Sequence, residues 1–265
     1  MSYLSAGTNI SVLVAPGLSY HQLRSPVGPW IVHLLQVDLN KCELGLAVLG
    51  GDGLARASEL SRGAGAAVLA GVNGDFFTPE GRPLGTEIIQ GVVQRRSARS
   101  GLAWRPGDGP WIGVAKLEGD SLLQLGWPLP LNGGDDATQM VGGFPELVRK
   151  GVRVGEPANG NPSAFAGERH PRTAVGHDAR GNLWLVVVDG RQPGRSAGMT
   201  LSELSHLMES LGSTDALNLD GGGSSVMVLN GRPVSRPSGP QGERPVANAL
   251  VVKRDEDFCP SPPGE

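Results

Sequence analysis

Two cysteines in 265 residues, Cys42 and Cys259, are too few for a disulfide framework, and neither sits at a metal-ligand spacing. One bridge tying down the C-terminal tail and two free thiols are both open readings. The five histidines are scattered without a His-x-x-x-His, His-Glu-x-x-His or Cys/His cluster, which argues against a zinc site. No apolar run reaches the ~18–20 residues of a membrane-spanning helix, and the N-terminus has neither a basic start nor an apolar signal core. Charge is sparse: 23 basic and 26 acidic residues leave −3 with no block of like sign, which excludes a general nucleic-acid binder. A nucleotide P-loop, a Gly-x-Gly-x-x-Gly dinucleotide turn and a Gly-x-Ser-x-Gly nucleophile elbow are all missing.

What is plentiful is glycine, 41 residues, which with 21 prolines separates short runs rich in Val, Ile and Leu. Trp30 to Leu39, Leu44 to Leu49, Ala66 to Val72, Leu183 to Val188, Ala216 to Leu219 and Val246 to Val252 are of strand length and bounded by turn residues. Two segments look helical. Leu54 to Arg62 is one; in the other Leu201, Leu204, Leu207, Met208 and Leu211 make an apolar stripe, Thr200 and Glu203 a capping box, and Gly212 a stop. The expected class is α+β, a mixed, mostly antiparallel sheet with two principal helices. Residues 1–53 would be N-terminal strands packed on the core, 54–254 the main domain and 255–265 a Pro-rich, acidic, flexible tail.

Ser58-Glu59-Leu60-Ser61 precedes an apolar strand and Asn73-Gly74-Asp75; Ser202-Glu203-Leu204-Ser205 precedes one and Asn218-Leu219-Asp220. Each continues to a glycine turn, at Gly91 and Gly231. An internal duplication of this helix-strand-hairpin unit is expected, and it would bring the two Asn-x-Asp strand ends together as a site.

Asp220 leads into Gly221-Gly222-Gly223-Ser224-Ser225, where three glycines allow φ > 0 and a close backbone approach to an anion, with two hydroxyls alongside. Arg172, opening an apolar stretch, and Asp189-Gly190-Arg191, closing another, place two guanidiniums where they could grip a phosphate or carboxylate. Asn73 and Asp75 are candidates beside the core aromatics Phe76 and Phe77, and Arg244 is a weaker one ahead of the last strand. Among the histidines only His170, beside Arg172, is of interest, and Asn132 to Asp136 reads as a solvated loop lacking the full Ca²⁺-loop pattern.

Together, Val72-Asn73-Gly74-Asp75-Phe76-Phe77, Pro171 to Gly176, Asp189-Gly190-Arg191 and Thr200 to Ser225 resemble the phosphodiester glycosidase family, over about Leu54 to Val252. The resemblance implies a hydrolase that cleaves a sugar-1-phosphodiester, such as an N-acetylglucosamine-1-phosphodiester, between the anomeric carbon and the phosphate oxygen. It implies Asp220, Asp189 and Arg172 as catalytic residues, and Asn73, Asp75, Arg191, Asn218, Gly221, Gly222, Gly223, Ser224, Ser225 and Arg244 as substrate-binding. The family's animal member carries Gly where this chain has Asp75, so no catalytic role passes to Asp75. No cofactor is required under this reading, and location in the cell envelope or outside the cell is implied. Two other readings use the same residues: a non-catalytic binder of anionic or phosphodiester-linked glycan, and a phosphodiesterase with Asp75, Asp189 and Asp220 around a divalent cation.

Overall fold

The computed structural model describes residues 9–26, 28–41, 43–105, 108–118, 121–122, 127–128, 138–154 and 164–254. Cys42, Cys259, the 132–136 loop and the 255–265 tail lie outside them.

The molecule is mostly β, 53% strand against 11% helix, so the α+β expectation is wrong. The two expected helices exist, but Ala57–Gly63 and Leu201–Ser210 span only 7 and 10 residues, and the third, Ala164–Gly167, is a single turn. Nearly every Val/Ile/Leu run has become a strand, because β-branched residues at alternating positions suit a pleated surface covered on both faces. Nor is the sheet mixed: among the described residues every strand pairing is antiparallel.

The largest sheet has eight strands in the order Asn9–Ala15, Leu18–Ser25, Trp30–Asp38, Asn182–Val188, Arg172–Asp178, Ser213–Asn218, Glu146–Arg149, Val152–Arg153. A second, of five, runs Arg232–Pro233, Met227–Leu229, Val68–Asn73, Val246–Arg254, Leu44–Ala55. A third, also of five, is built from Val92–Arg95, Glu87–Ile89, Gln139–Gly142, Ser100–Arg105 and Gly109–Val114.

The main core lies between these sheets, where Leu35, Val37, Val175, Leu185 and Leu217 of the first meet Leu46, Val48, Val72 and Leu250 of the second. The alternate residues face outward and are covered by helices. Val32, Leu34, Ala174, Val186 and Ala216 pack under Leu201, Leu204, Leu207 and Met208, and Ala249 and Val251 pack with Ala57 and Leu60. The capping box at Thr200 forms as expected, Glu203 N–H donating to the Thr200 hydroxyl at 3.1 Å and Thr200 N–H to the Glu203 carboxylate at 2.9 Å.

Two of the crossings between sheets place the site. Gln139–Gly142 of the third sheet passes through Gly143, Phe144 and Pro145 into Glu146–Arg149 of the first. Ser213–Asn218 of the first passes through the glycine loop into Met227–Leu229 of the second. Both meet the ends of the Asn73 and Asn218 strands.

Candidate active site

Asn73 and Asn218 each end a strand with a side chain fully buried. The Asn73 carboxamide donates to the Asp220 carbonyl at 2.7 Å and accepts from the Thr173 hydroxyl at 2.8 Å and Val226 N–H at 3.1 Å. Asp220 N–H in turn donates to the Gly74 carbonyl at 3.0 Å. The two Asn-x-Asp strand ends therefore meet, and Asn73 is the clasp between them, with no face left for a ligand. Asn218 donates to the Phe144 carbonyl at 2.7 Å, while its Oδ1 is buried without a partner.

Asp75 lies 1% exposed beneath this junction. Its Oδ2 accepts from Gly85 N–H at 2.5 Å, and its backbone N–H donates to Asn248 Oδ1 at 2.8 Å. A Cβ on Gly142 would stand 2.6 Å from Asp75 Oδ2 and one on Gly74 2.1 Å from Asn248 Oδ1, so only glycine lets these strands close on the carboxyl. Burial pushes the Asp75 pKa from 3.8 to about 6, against the Gly85 and Phe76 N–H groups and Arg99, and the Asp220 charge adds to the rise. Asn248 also donates to Glu87 at 2.6 Å, a second carboxyl raised by burial.

Asp220 is half-buried and opens toward the glycine loop. Burial raises its pKa, opposed by the Ser224 hydroxyl, the Arg244 guanidinium and Gly221 N–H. The loop itself departs from an open cradle of donors. Gly221 N–H goes to the Asp220 carboxylate at 2.9 Å, Gly222 N–H to the Pro171 carbonyl at 2.8 Å, and Ser224 and Ser225 N–H to Gly221 and Gly222 carbonyls at 3.2 and 3.3 Å. Glycine is needed instead for contact: Gly222 sits at φ +61 with the Arg191 guanidinium 3.2 Å from where a Cβ would be, and a Cβ on Gly221 would meet the Pro171 carbonyl at 2.9 Å. The Ser225 hydroxyl is buried without a partner.

Positive charge at the loop comes from Arg191 and Arg244, both exposed. Arg191 adopts φ +56, an uncommon backbone for a side-chain-bearing residue, beside Gly190, where a Cβ would lie 2.5 Å from Pro171 N. Its guanidinium leans on His170 Nδ1 at 3.5 Å, and the His170 Nε2–H donates to the Ala164 carbonyl at 3.1 Å. Arg244 lies 4.7 Å over the Phe77 ring.

Arg172 and Asp189 are placed differently from their expected roles. Arg172 is 1% exposed and donates to the carbonyls of Met199 at 2.8 Å, Phe165 at 2.6 Å and Glu168 at 3.1 Å, stacked 5.3 Å over Phe165. Burial and the neighbouring Arg191 charge lower its pKa to about 10. It organises the wall behind Arg191, edge-on to which Phe165 meets Phe76. Asp189, 2% exposed, accepts from Arg236 N–H at 2.9 Å and faces His33 Nε2 at 3.3 Å, while His33 Nδ1 meets the Tyr20 hydroxyl at 2.8 Å. None of these contacts reaches Asp220, and among the described residues no three His, Cys, Asp or Glu side chains gather as a metal site. The arrangement of Asp75, Asp189 and Asp220 around one cation is thus not formed.

The sequence reading overlooked Arg99, Gly85, Asn248 and the Gly142–Pro145 crossing. A signal existed for the last. Gly142-Gly143 precedes a left-handed Lys150-Gly151 turn just as Gly222-Gly223 precedes Asn230-Gly231, with φ of 52 and 75 against 47 and 71.

A half-buried carboxylate with a protonatable buried carboxyl behind it and two exposed guanidiniums in front is an arrangement able to meet an anionic group. A model of the phosphodiester glycosidase family matches residues 66–253, and the chain belongs to that family. It is 32% identical to bovine N-acetylglucosamine-1-phosphodiester alpha-N-acetylglucosaminidase over 180 residues, 63% of this chain and 32% of that protein, so it spans about a third of that relative's length. The fold is shared with the zebrafish catalytic domain of the same name, auto-inhibited by its pro-peptide, at TM-score 0.67 and 24% identity over 96% of this chain and 86% of that one. It is shared also with a putative exported protein of Burkholderia pseudomallei at TM-score 0.65 and 23% identity over 85% and 74%.

Proposed function

We propose that this protein hydrolyses a sugar-1-phosphodiester, N-acetylglucosamine-1-phosphodiester-like, releasing free sugar and a phosphomonoester. Supporting this is one juxtaposition: the Asp220 carboxylate beside a glycine loop flanked by the Arg191 and Arg244 guanidiniums. In an ordinary glycosidase an acid must protonate an alkoxide leaving group. Here the C1–O bond breaks with its electron pair going to a phosphate oxygen, already a weak base, so the two guanidiniums neutralise that charge in place of a proton donor. Asp220, as the carboxylate at the anomeric carbon, takes one proton of the attacking water; the water's oxygen and remaining proton become the hydroxyl of the free sugar, and the abstracted proton passes to solvent. Arg172 and Asn73 hold the parts in register without touching the substrate, and the partly exposed Phe76 and Phe165 offer an apolar wall to the sugar.

The reaction needs no cofactor under this reading, and substrates outside the cytoplasm, in the cell envelope, suit it. The test is incubation with N-acetylglucosamine-α-1-phospho-6-mannoside, with and without EDTA, and mass analysis of the products. Free N-acetylglucosamine plus mannose 6-phosphate, insensitive to EDTA and reduced about 10²–10⁴-fold in a folded Asp220→Asn variant, is expected. N-acetylglucosamine 1-phosphate as product would place the cut on the other side of the oxygen and refute the proposal. Tight binding without turnover would favour the glycan-binder reading.

A further inference from the structure

A cavity of about 400 Å³ opens off the glycine loop, walled by Arg56, Arg191, Gly223 and the 238–245 turn, which contributes Arg244. The volume lies within the range of about 300–1,000 Å³ that accommodates a small ligand. Three arginines line it against a single carboxylate, Glu243, and that carboxylate is turned onto Ser58, accepting from its N–H at 2.9 Å and its hydroxyl at 2.6 Å. Arg56 is fixed in the wall by its bonds to the Glu243 carbonyl at 3.2 Å and to Glu59 at 2.8 Å. The rest of the lining, Ser238 to Gly242 and Pro245, carries no ionisable group, and a backbone bridge between Gly239 and Gly242 stiffens it.

Arg191, Arg244 and Gly223 belong both to this cavity and to the loop beside Asp220. A phosphate held there with its anomeric carbon toward Asp220 must project its other ester into the cavity. A neutral group would gain nothing from this positive wall, whereas an anionic one meets Arg56, held in place by the Glu243 carbonyl and Glu59, together with the field of Arg191 and Arg244 that the first phosphate shares. We propose that the cavity is the leaving-group subsite and that it takes an aglycone bearing a second phosphate, as the next repeat of a phosphodiester-linked glycan would present. This rests on the hydrolase reading above.

The test compares two substrates, methyl N-acetylglucosamine-α-1-phosphodiester and the diester whose aglycone is glycerol 3-phosphate, in the wild type and in Gln241→Glu, which adds a negative charge to the exposed cavity wall. The wild type is expected to favour the second substrate about tenfold or more in kcat/KM, less so as salt rises, and the variant to lose that preference. Equal rates in the wild type, or a preference that survives Gln241→Glu, would overturn the subsite while leaving the hydrolase intact. If neither substrate is cut, the hydrolase reading fails separately, and calorimetric binding of glycerol 1,3-bisphosphate against glycerol 3-phosphate decides the cavity. A preference for the bisphosphate that Gln241→Glu abolishes sustains the anionic subsite; equal binding removes it.

Discussion

Replacing Asp75 with Asn separates the cost of its buried charge from everything else the residue does. The rise from 3.8 to about 6 means the native state holds the proton more tightly than the unfolded chain. The stabilisation from that proton is complete below the unfolded pKa and disappears as pH climbs through the folded one. At about 1.36 kcal/mol per pH unit, the wild type forfeits about 3 kcal/mol between pH 4 and pH 8 relative to an uncharged side chain. Asn keeps the Gly85 bond through its one oxygen but puts a buried –NH2 where Oδ1 now has no partner, a cost of about 1 kcal/mol at every pH. Asp75→Asn should therefore melt slightly below the wild type at pH 4 and above it at pH 8. For a protein of this size the swing amounts to about 6–12 °C in Tm. Thermal unfolding followed by circular dichroism across that pH range measures it. A Tm difference that stays flat with pH, or that moves in the wild type's favour as pH rises, would refute the buried-charge assignment. In an Asp220→Asn background the swing should shrink and level off at lower pH, because the Asp220 charge helps to raise Asp75.

Arg191→Ala and Arg244→Ala should each lower kcat/KM on a sugar-1-phosphodiester about 10²–10³-fold with unchanged Tm; a variant that keeps full turnover removes that guanidinium from the phosphate clamp. Arg172→Ala should act on stability instead, since the buried Met199 carbonyl and the part-buried Phe165 and Glu168 carbonyls lose their donor, and urea unfolding should show a loss of about 2–4 kcal/mol. An Arg172→Ala protein of native stability but no turnover would mean the residue contacts substrate. Gly74→Ala puts a methyl group 2.1 Å from Asn248 Oδ1 and should cost about 1–3 kcal/mol in the same assay; Gly63→Ala, where a Cβ meets nothing, is the matched comparison.

Local chemistry was legible in the chain. The Thr200–Glu203 capping box and the Leu201–Met208 stripe specify their helix by spacing alone, and Gly221-Gly222 after Asp220 marks a turn that needs glycine against Pro171 and Arg191. The Asn73-Gly74-Asp75 and Asn218-Leu219-Asp220 segments named the strand ends that meet. The fold class was misjudged because two capped helices stand out in a sequence more than many short apolar runs do, although the runs outweigh them in length.

Which side chains face a ligand was decided only by tertiary structure. Arg172 and Arg191 look alike in sequence, each at the end of a strand beside Pro or Gly. One turns inward because its strand is covered by the 164–168 turn and the Met199 carbonyl, and the other is thrown outward by a left-handed backbone against Pro171. Asp189 and Asp220 both follow buried strands, yet Asp189 is captured by Arg236 N–H and His33, groups 47 and 156 residues away in the chain, and Asp220 is left facing the loop. Spacing along the chain fixes what a residue can do within a few neighbours. Burial, the closing of Gly142 on Asp75 and the partners a carboxylate finds come from strands that meet only after folding, and these set its charge and its role.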